Sequence, residues 1–230
     1  MQSSANASTD QQLADGEEQA CVSCWPKDSA TSSGSCFGSG SGAGGKHEFT
    51  LPAQVQALMA QATQSQPQAT HEFLVPPEQF LEQVKPLLTA EMETLLVVGC
   101  GDSQFSTLLN ASLSREESSS VVVSMDNDEP CINAMREAQP GMRWDIEDAT
   151  RMSYADMSFD AVLDKSLLDF LIYTGRKPRE TYAMLAECAR VARPGGKCLF
   201  LSWCPPKEMQ VHMAGCPWRV ETVQLEAPCD

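Results

Sequence analysis

From residue 93 onward the chain alternates two hydrophobic patterns: short continuous apolar runs, and stretches in which apolar residues return every third or fourth position. The first pattern predicts strands buried on both faces, the second helices with one apolar stripe. Thr94 to Val98, TLLVV, is the clearest run, and Val121 to Met125, Met142 to Ile146, Phe159 to Leu163 and Lys197 to Trp203 repeat it. Helical patterns lie between them: about Gln104 to Ser112 with Phe105, Leu108 and Leu109 inward, about Glu129 to Ala138 with Ile132 and Met135, and about Arg179 to Val191 with Tyr182, Leu185 and Val191. Strands alternating with helices imply a mainly parallel sheet covered on both faces, an α/β Rossmann-like sandwich. In such sheets a ligand sits beyond the C-terminal strand ends, where the strand order reverses.

Upstream, Phe80, Leu81, Val84, Leu87 and Leu88 form a helical stripe behind Pro77, with Pro86 as a kink or an early end. A weaker stripe, Val55, Leu58, Met59 and Ala62, follows Thr50 and Pro52. Residues 1–46 are rich in Ser, Gly, Ala and Gln and poor in large apolar side chains, which predicts a disordered tail ending in the flexible linker FGSGSGAGG. Three regions follow: the tail at 1–46, a helical segment at 47–92 and the ligand-binding domain at 93–230. Ser112 to Ser120 reads as an exposed loop, and Pro194-Gly195-Gly196 as a tight turn into the fifth strand. After Trp203 only 27 residues remain, few for a helix and an antiparallel strand pair. Either Met209 to Met213 and Trp218 to Leu225 make a reduced hairpin, or the latter pairs alone at the edge. A shortened C-terminal strand pair would leave an edge open to a second copy or a partner subunit.

Charge and cysteine usage narrow the function. The net charge is −15, from 31 acidic and 16 basic residues, with no long positive footprint apart from Arg176, Lys177 and Arg179. That speaks against a nucleic-acid partner and for a basic, lysine-bearing protein surface. No run of about 18 apolar residues exists to cross a membrane. Neither a secretory signal nor an Arg-rich transit pattern opens the chain, so the cytoplasm is the expected compartment. Of the ten cysteines, Cys21 and Cys24 form a CxxC without a second pair at zinc-like spacing, so no metal site is expected. Cys100, Cys188 and Cys198 lie in apolar segments as small hydrophobes. The three histidines, His47, His71 and His212, are scattered and suggest no catalytic constellation.

Candidate chemistry gathers at the strand ends. Gly99-Cys100-Gly101 closes the first strand, where glycine permits positive φ and close approach of a ligand to the backbone. The next residues, Asp102-Ser103-Gln104-Phe105, lack the third glycine of a dinucleotide fingerprint, which disfavours a nicotinamide cofactor. Asp126 stands 25 residues beyond Gly101 at the edge of the second strand, where a carboxylate can accept both hydroxyls of a ribose. Asp148, followed by Ala149, suits an adenine edge: the carboxylate would take the exocyclic amine and a backbone N–H would reach a ring nitrogen. Asp145 and Glu147 are alternative owners of that contact.

These segments resemble a known family. LLVVGCGDSQFS at 95–106, MDNDEPCINAM at 125–135, MRWDIEDA at 142–149, SFDAVLDKSLLDFL at 158–171 and RVARPGGKCLFLSW at 190–203 are similar, in order, to the motifs of class I methyltransferases. The likeness is to the protein-lysine group that includes the elongation factor 1A and citrate synthase methyltransferases. The resemblance implies S-adenosyl-L-methionine as cofactor, with Gly99, Cys100, Gly101 and Ser103 around its methionine part. It implies Asp126 and Asn127 on the ribose, Asp148 and Ala149 on the adenine, and Asp164 and Lys165 beside the methyl donor. An amine acceptor must lose a proton before attack, and Asp164 and Asp169 are the carboxylates able to orient it or relay that proton. The alternatives are a helix cap or a pairing with Lys165 for Asp164, and a solvent-facing position for Asp169. Trp203, with Pro205-Pro206, either rims the acceptor channel or packs in the core.

Two departures from the family stand out. A Gly-Thr or Ala-Thr pair normally follows the lysine, and here the pair is Ser166-Leu167. The usual aromatic segment before the first strand is reduced to little more than Phe73. The expected function is an S-adenosylmethionine-dependent methyltransferase acting on a protein lysine. The alternatives are a methyltransferase with a small-molecule nitrogen or oxygen acceptor, and a non-catalytic binding protein.

Overall fold

The computed structural model describes residues 19–26, 72–115, 120–174 and 178–225. Its elements, in chain order, are β1 (Gln19–Pro26), α1 (Pro77–Val84), β2 (Thr94–Val98), α2 (Phe105–Arg115), β3 (Val121–Asp126), α3 (Glu129–Ala138) and β4 (Arg143–Ile146). They continue with β5 (Phe159–Lys165), α4 (Leu167–Tyr173), α5 (Pro178–Val191), β6 (Ala192–Leu201), α6 (Pro206–Met213) and β7 (Trp218–Leu225). The strands form one sheet in the order β4-β3-β2-β5-β6-β1-β7, and every pairing is parallel. This is the Rossmann-like architecture expected from the alternating pattern.

Strand alternation divides the core between two faces. Leu95, Val97, Val122, Leu163 and Leu201 pack with Phe80, Phe105, Leu109 and Ile132 of α1, α2 and α3. Leu96, Val98, Val123, Val162 and Phe200 pack with Leu168, Met184, Leu185 and Met209 of α4, α5 and α6. Pro77 takes the first turn of α1, where a missing N–H costs nothing, and α1 gives way at Val84 to a 3-10 turn that contains Pro86. Asp128 caps α3 by accepting from the Cys131 N–H at 3.1 Å. At the opposite end of the sheet Asp160 ties three strands together. Its Oδ2 accepts from the N–H groups of Glu93 and Thr94, and its Oδ1 pairs with Arg193 at 2.5 Å. Pro194-Gly195-Gly196 is a bulge inside β6: Asp160 alone opposes residues 193–196, between the pairs Phe159↔Ala192 and Ala161↔Lys197. Its tightness needs glycine, because a Cβ on Gly196 would fall 2.8 Å from the Arg193 carbonyl oxygen.

Three expectations need correction. Gln19–Pro26, inside the stretch expected to be disordered, is a strand between β6 and β7. Backbone pairing with two distant strands is a tertiary effect that local composition does not report. Second, Met209 to Met213 is helical rather than half of a hairpin, with Pro206 in the first turn and Met209 and Met213 buried one turn apart. Trp218–Leu225 does pair alone, at the edge of the sheet and through β1. Third, the Ser112 to Ser120 loop begins later, because α2 continues to Arg115. The helix expected after Thr50, the glycine linker, His47, His71, Arg176 and Lys177 lie outside the described residues.

Candidate active-site cleft

β2 has β3 on one side and β5 on the other, and the chain winds outward from both, so the strand order reverses at the C-terminal end of β2. A cleft opens there, about 910 Å³ counting the space open to solvent. One end is formed by Gly99, Cys100, Gly101, Asp102, Ser103 and Asp126, the other by Asp169, Phe170, Tyr173 and Trp203. Phe73, Leu74, Lys165, Ser166 and Leu167 complete the wall.

The glycine turn is built for an approaching ligand. Gly99 and Gly101 have φ of +60° and +50°, and a Cβ on Gly101 would meet nothing within 4 Å. Asp126 locks the turn: Oδ2 accepts from the Gly101 N–H at 2.9 Å, and Oδ1 accepts from the Asp128 N–H at 3.0 Å. Each oxygen keeps a lone pair for a further donor. The Cys100 N–H reaches the Met125 carbonyl at 3.0 Å, and burial pushes the Cys100 thiol up, so this cysteine is a neutral part of the turn.

Glu72 was not foreseen from the sequence. Its Oε1 accepts from the Gln104 N–H at 2.7 Å, just ahead of α2, and its Oε2 accepts from Ser103 Oγ at 2.8 Å. The same Oε2 lies 2.8 Å from Lys165 Nζ, which also donates to the Phe73 carbonyl at 2.8 Å. One carboxylate therefore fixes the Phe73–Leu74 wall to the start of α2 and to the end of β5. Burial pushes the Lys165 ammonium down from its ordinary value, while the ion pair with Glu72 works against that. Leu74 is held at φ +71°, a strained value for a branched side chain. No local motif marks Glu72; only the acidic residue beside the retained aromatic Phe73 could have drawn attention to it.

The two expected carboxylates part company. Asp164 is fully buried and does not line the cleft; Oδ1 accepts from the Leu167 N–H at 2.9 Å and Oδ2 from the Leu168 N–H at 3.1 Å. It caps the start of α4, the alternative role weighed for it from the sequence. Burial pushes its carboxyl up to about 8. Asp169, by contrast, lines the cleft and is 6% exposed. It accepts from Ser202 Oγ at 2.5 Å and from the Trp203 N–H at 3.0 Å, and burial pushes its carboxyl up to about 7. A carboxyl poised near neutrality in a cleft is the kind of group that orients and exchanges protons.

The expected adenine contacts do not reach the cleft wall. Asp148 is exposed and caps its own turn, with Oδ1 accepting from the Thr150 N–H at 2.8 Å and from Thr150 Oγ1 at 2.7 Å. Ala149 is buried behind it, and Asn127 is exposed outside the lining. The alternatives are also engaged locally: Asp145 accepts from Tyr154 Oη at 3.0 Å, and Glu147 accepts from the Ser153 N–H at 3.1 Å. Among the described residues no group of three or more His, Cys, Asp or Glu side chains could hold a metal ion, and no helix is long and apolar enough to cross a membrane.

Comparison with known proteins places the glycine turn, Asp126 and β6 in a familiar context. Residues 96–200 match the family described as Methyltransferase domain. The chain is 34% identical over 142 residues to the human eEF1A lysine and N-terminal methyltransferase, a match covering 58% of this chain and 20% of that protein. It is also 34% identical over 77 residues to the ubiquinone/menaquinone biosynthesis C-methyltransferase UbiE of Desulfotalea psychrophila, covering 34% of this chain and 28% of that one. A solved TehB-like SAM-dependent methyltransferase from Corynebacterium glutamicum aligns with TM-score 0.43 and 18% identity, over 64% of this chain and 68% of the other. The chain thus spans about a fifth of the human relative.

Proposed function

We propose that this chain, which carries the Rossmann-like class I methyltransferase fold, uses S-adenosyl-L-methionine to methylate a lysine side chain of a protein. One observation carries the reading: within the segment matched as a methyltransferase domain, the open glycine turn and the Asp126 carboxylate are joined by a hydrogen bond at the cleft floor. These groups fit the cofactor. The free face of Gly101 admits a close ligand, and the remaining lone pairs of Asp126 suit a pair of ribose hydroxyls. The cofactor brings an activated methyl group on a sulfonium, so the protein's task is alignment and proton management. At the other end of the cleft, Asp169 offers a carboxylate among Phe170, Tyr173 and Trp203, a setting that receives an alkylammonium through charge and aromatic faces. Its raised pKa lets it take the ammonium proton near neutral pH. The name of the human relative, eEF1A lysine and N-terminal methyltransferase, supports a protein amine as acceptor, of which a lysine side chain is the one proposed. The acidic chain, net charge −15, suits a basic protein partner rather than nucleic acid or an anionic membrane surface, in the cytoplasm.

Calorimetric titration with S-adenosylmethionine and its demethylated product tests the cofactor half. Wild type binds the product with a Kd of about micromolar order, and Asp126→Ala weakens it at least about tenfold, the loss of charge-assisted hydrogen bonds. A folded wild type that binds neither compound would refute the proposal. Incubation with a cell lysate and labelled donor then reads the acceptor. The label is expected on lysines of a protein band. Label confined to small molecules would favour chemistry closer to that named for the UbiE relative.

A further inference from the structure

The start of α4 lies closer to the glycine turn than any side chain at position 99 would allow. A Cβ on Gly99 would fall 2.6 Å from Leu167 Cβ and 2.7 Å from its Cδ2. The isobutyl group therefore rests directly on the turn, and Leu167, partly buried, lines the same cleft as Gly99, Asp126, Asp169 and Trp203. It is also fastened there. Its N–H is held by Asp164 Oδ1 at 2.9 Å, the next N–H by Oδ2 at 3.1 Å, and the preceding Ser166 is fixed in the left-handed region at φ +83°. To carry the Cβ away from the turn, the chain would have to break the cap of its own helix. A branched aliphatic wall that cannot retreat selects by size, because close-packed groups yield little to an added carbon.

We propose that Leu167 is the specificity-determining residue that limits the alkyl group carried on the cofactor's sulfonium to a methyl. The inference rests on the S-adenosylmethionine reading and adds a constraint that the glycine turn and Asp126 do not supply.

The test is calorimetry with three probes: S-adenosylmethionine, its ethyl counterpart S-adenosylethionine, and S-adenosylhomocysteine, which carries no transferable group. Wild type is expected to bind the ethyl compound at least about tenfold more weakly than the methyl compound, the usual discrimination for one methylene against an apolar wall. In Leu167→Ala that ratio should fall to within about threefold, while in Leu167→Met it stays near the wild-type value. Because each ratio is internal to one protein, a general loss of stability in a variant does not imitate the effect. Equal binding of the methyl and ethyl compounds by wild type would overturn the proposal, as would an unchanged ratio in Leu167→Ala. Failure of all three probes to bind folded wild type would instead remove the cofactor reading itself, and this inference with it.

Discussion

Asp169 makes the cleft sensitive to pH. In the folded chain its carboxyl holds a proton up to about 7, against 3.8 when free, because burial disfavours the charge. Between those values folding takes up a proton, so this residue's contribution to stability falls as pH rises from about 4 to about 7 and is level above. Thermal melts of Asp169→Asn across pH 4–8 should therefore show a shallower decline than wild type. Asp164, buried beside it and pushed up to about 8, supplies the slope that remains. The same ionisation governs chemistry in the proposed reaction: methyl transfer should rise through about pH 7 in wild type, and Asp169→Asn should lose both the rise and most of the rate. Identical melting slopes in the two proteins would contradict the assignment. Asp169 was readable from the sequence as a candidate because it follows the Asp-Lys pair closely. Its burial was not, since Ser202 and Trp203, which hold it, come 33 and 34 residues later.

The segment before β2 acts through one side chain. Glu72 satisfies the Gln104 N–H ahead of α2, the Ser103 hydroxyl and the Lys165 ammonium, and Lys165 has a side chain only 5% exposed. Replacing Glu72 with Ala strands that ammonium, which costs about 3 kcal/mol by the usual penalty for breaking a buried pair. Denaturant melts should record this loss, and product affinity should fall with it because Phe73 and Leu74 lose their anchor. Glu72→Gln, which keeps acceptors for the backbone and hydroxyl donors, should recover part of both. Such a residue evades sequence reasoning for a plain reason. Helices and strands announce themselves by local period, as Thr94–Val98 and Glu129–Ala138 did, whereas Glu72 meets partners 31 and 93 positions away. α4 was legible only through its cap: Leu167–Tyr173 is too short to display a period, and a helix cap was one of the readings weighed for Asp164.

At the scale of the whole molecule, the sheet depends on two remote stretches of chain. β7 joins it through β1 alone, from Gln19↔Trp218 to Pro26↔Leu225, and β1 also covers the edge of β6. Deleting residues 1–26 should abolish hydrogen-exchange protection across 218–225 while leaving 94–98 protected, and should promote association through the uncovered β6 edge. Unchanged protection at 218–225 would show that β7 does not rely on β1. The central strands were readable because each is a continuous apolar run flanked by its own helix; β1, QACVSCWP, is not such a run. This arrangement also orders events during synthesis. β1 is translated long before either of its partners, so the slot it fills does not exist until Trp218–Leu225 has emerged. The central strands can pair on the growing chain, but β1 and β7 join only once Trp218–Leu225 has been made, as two distant stretches find each other across the slowest kind of contact a chain can make.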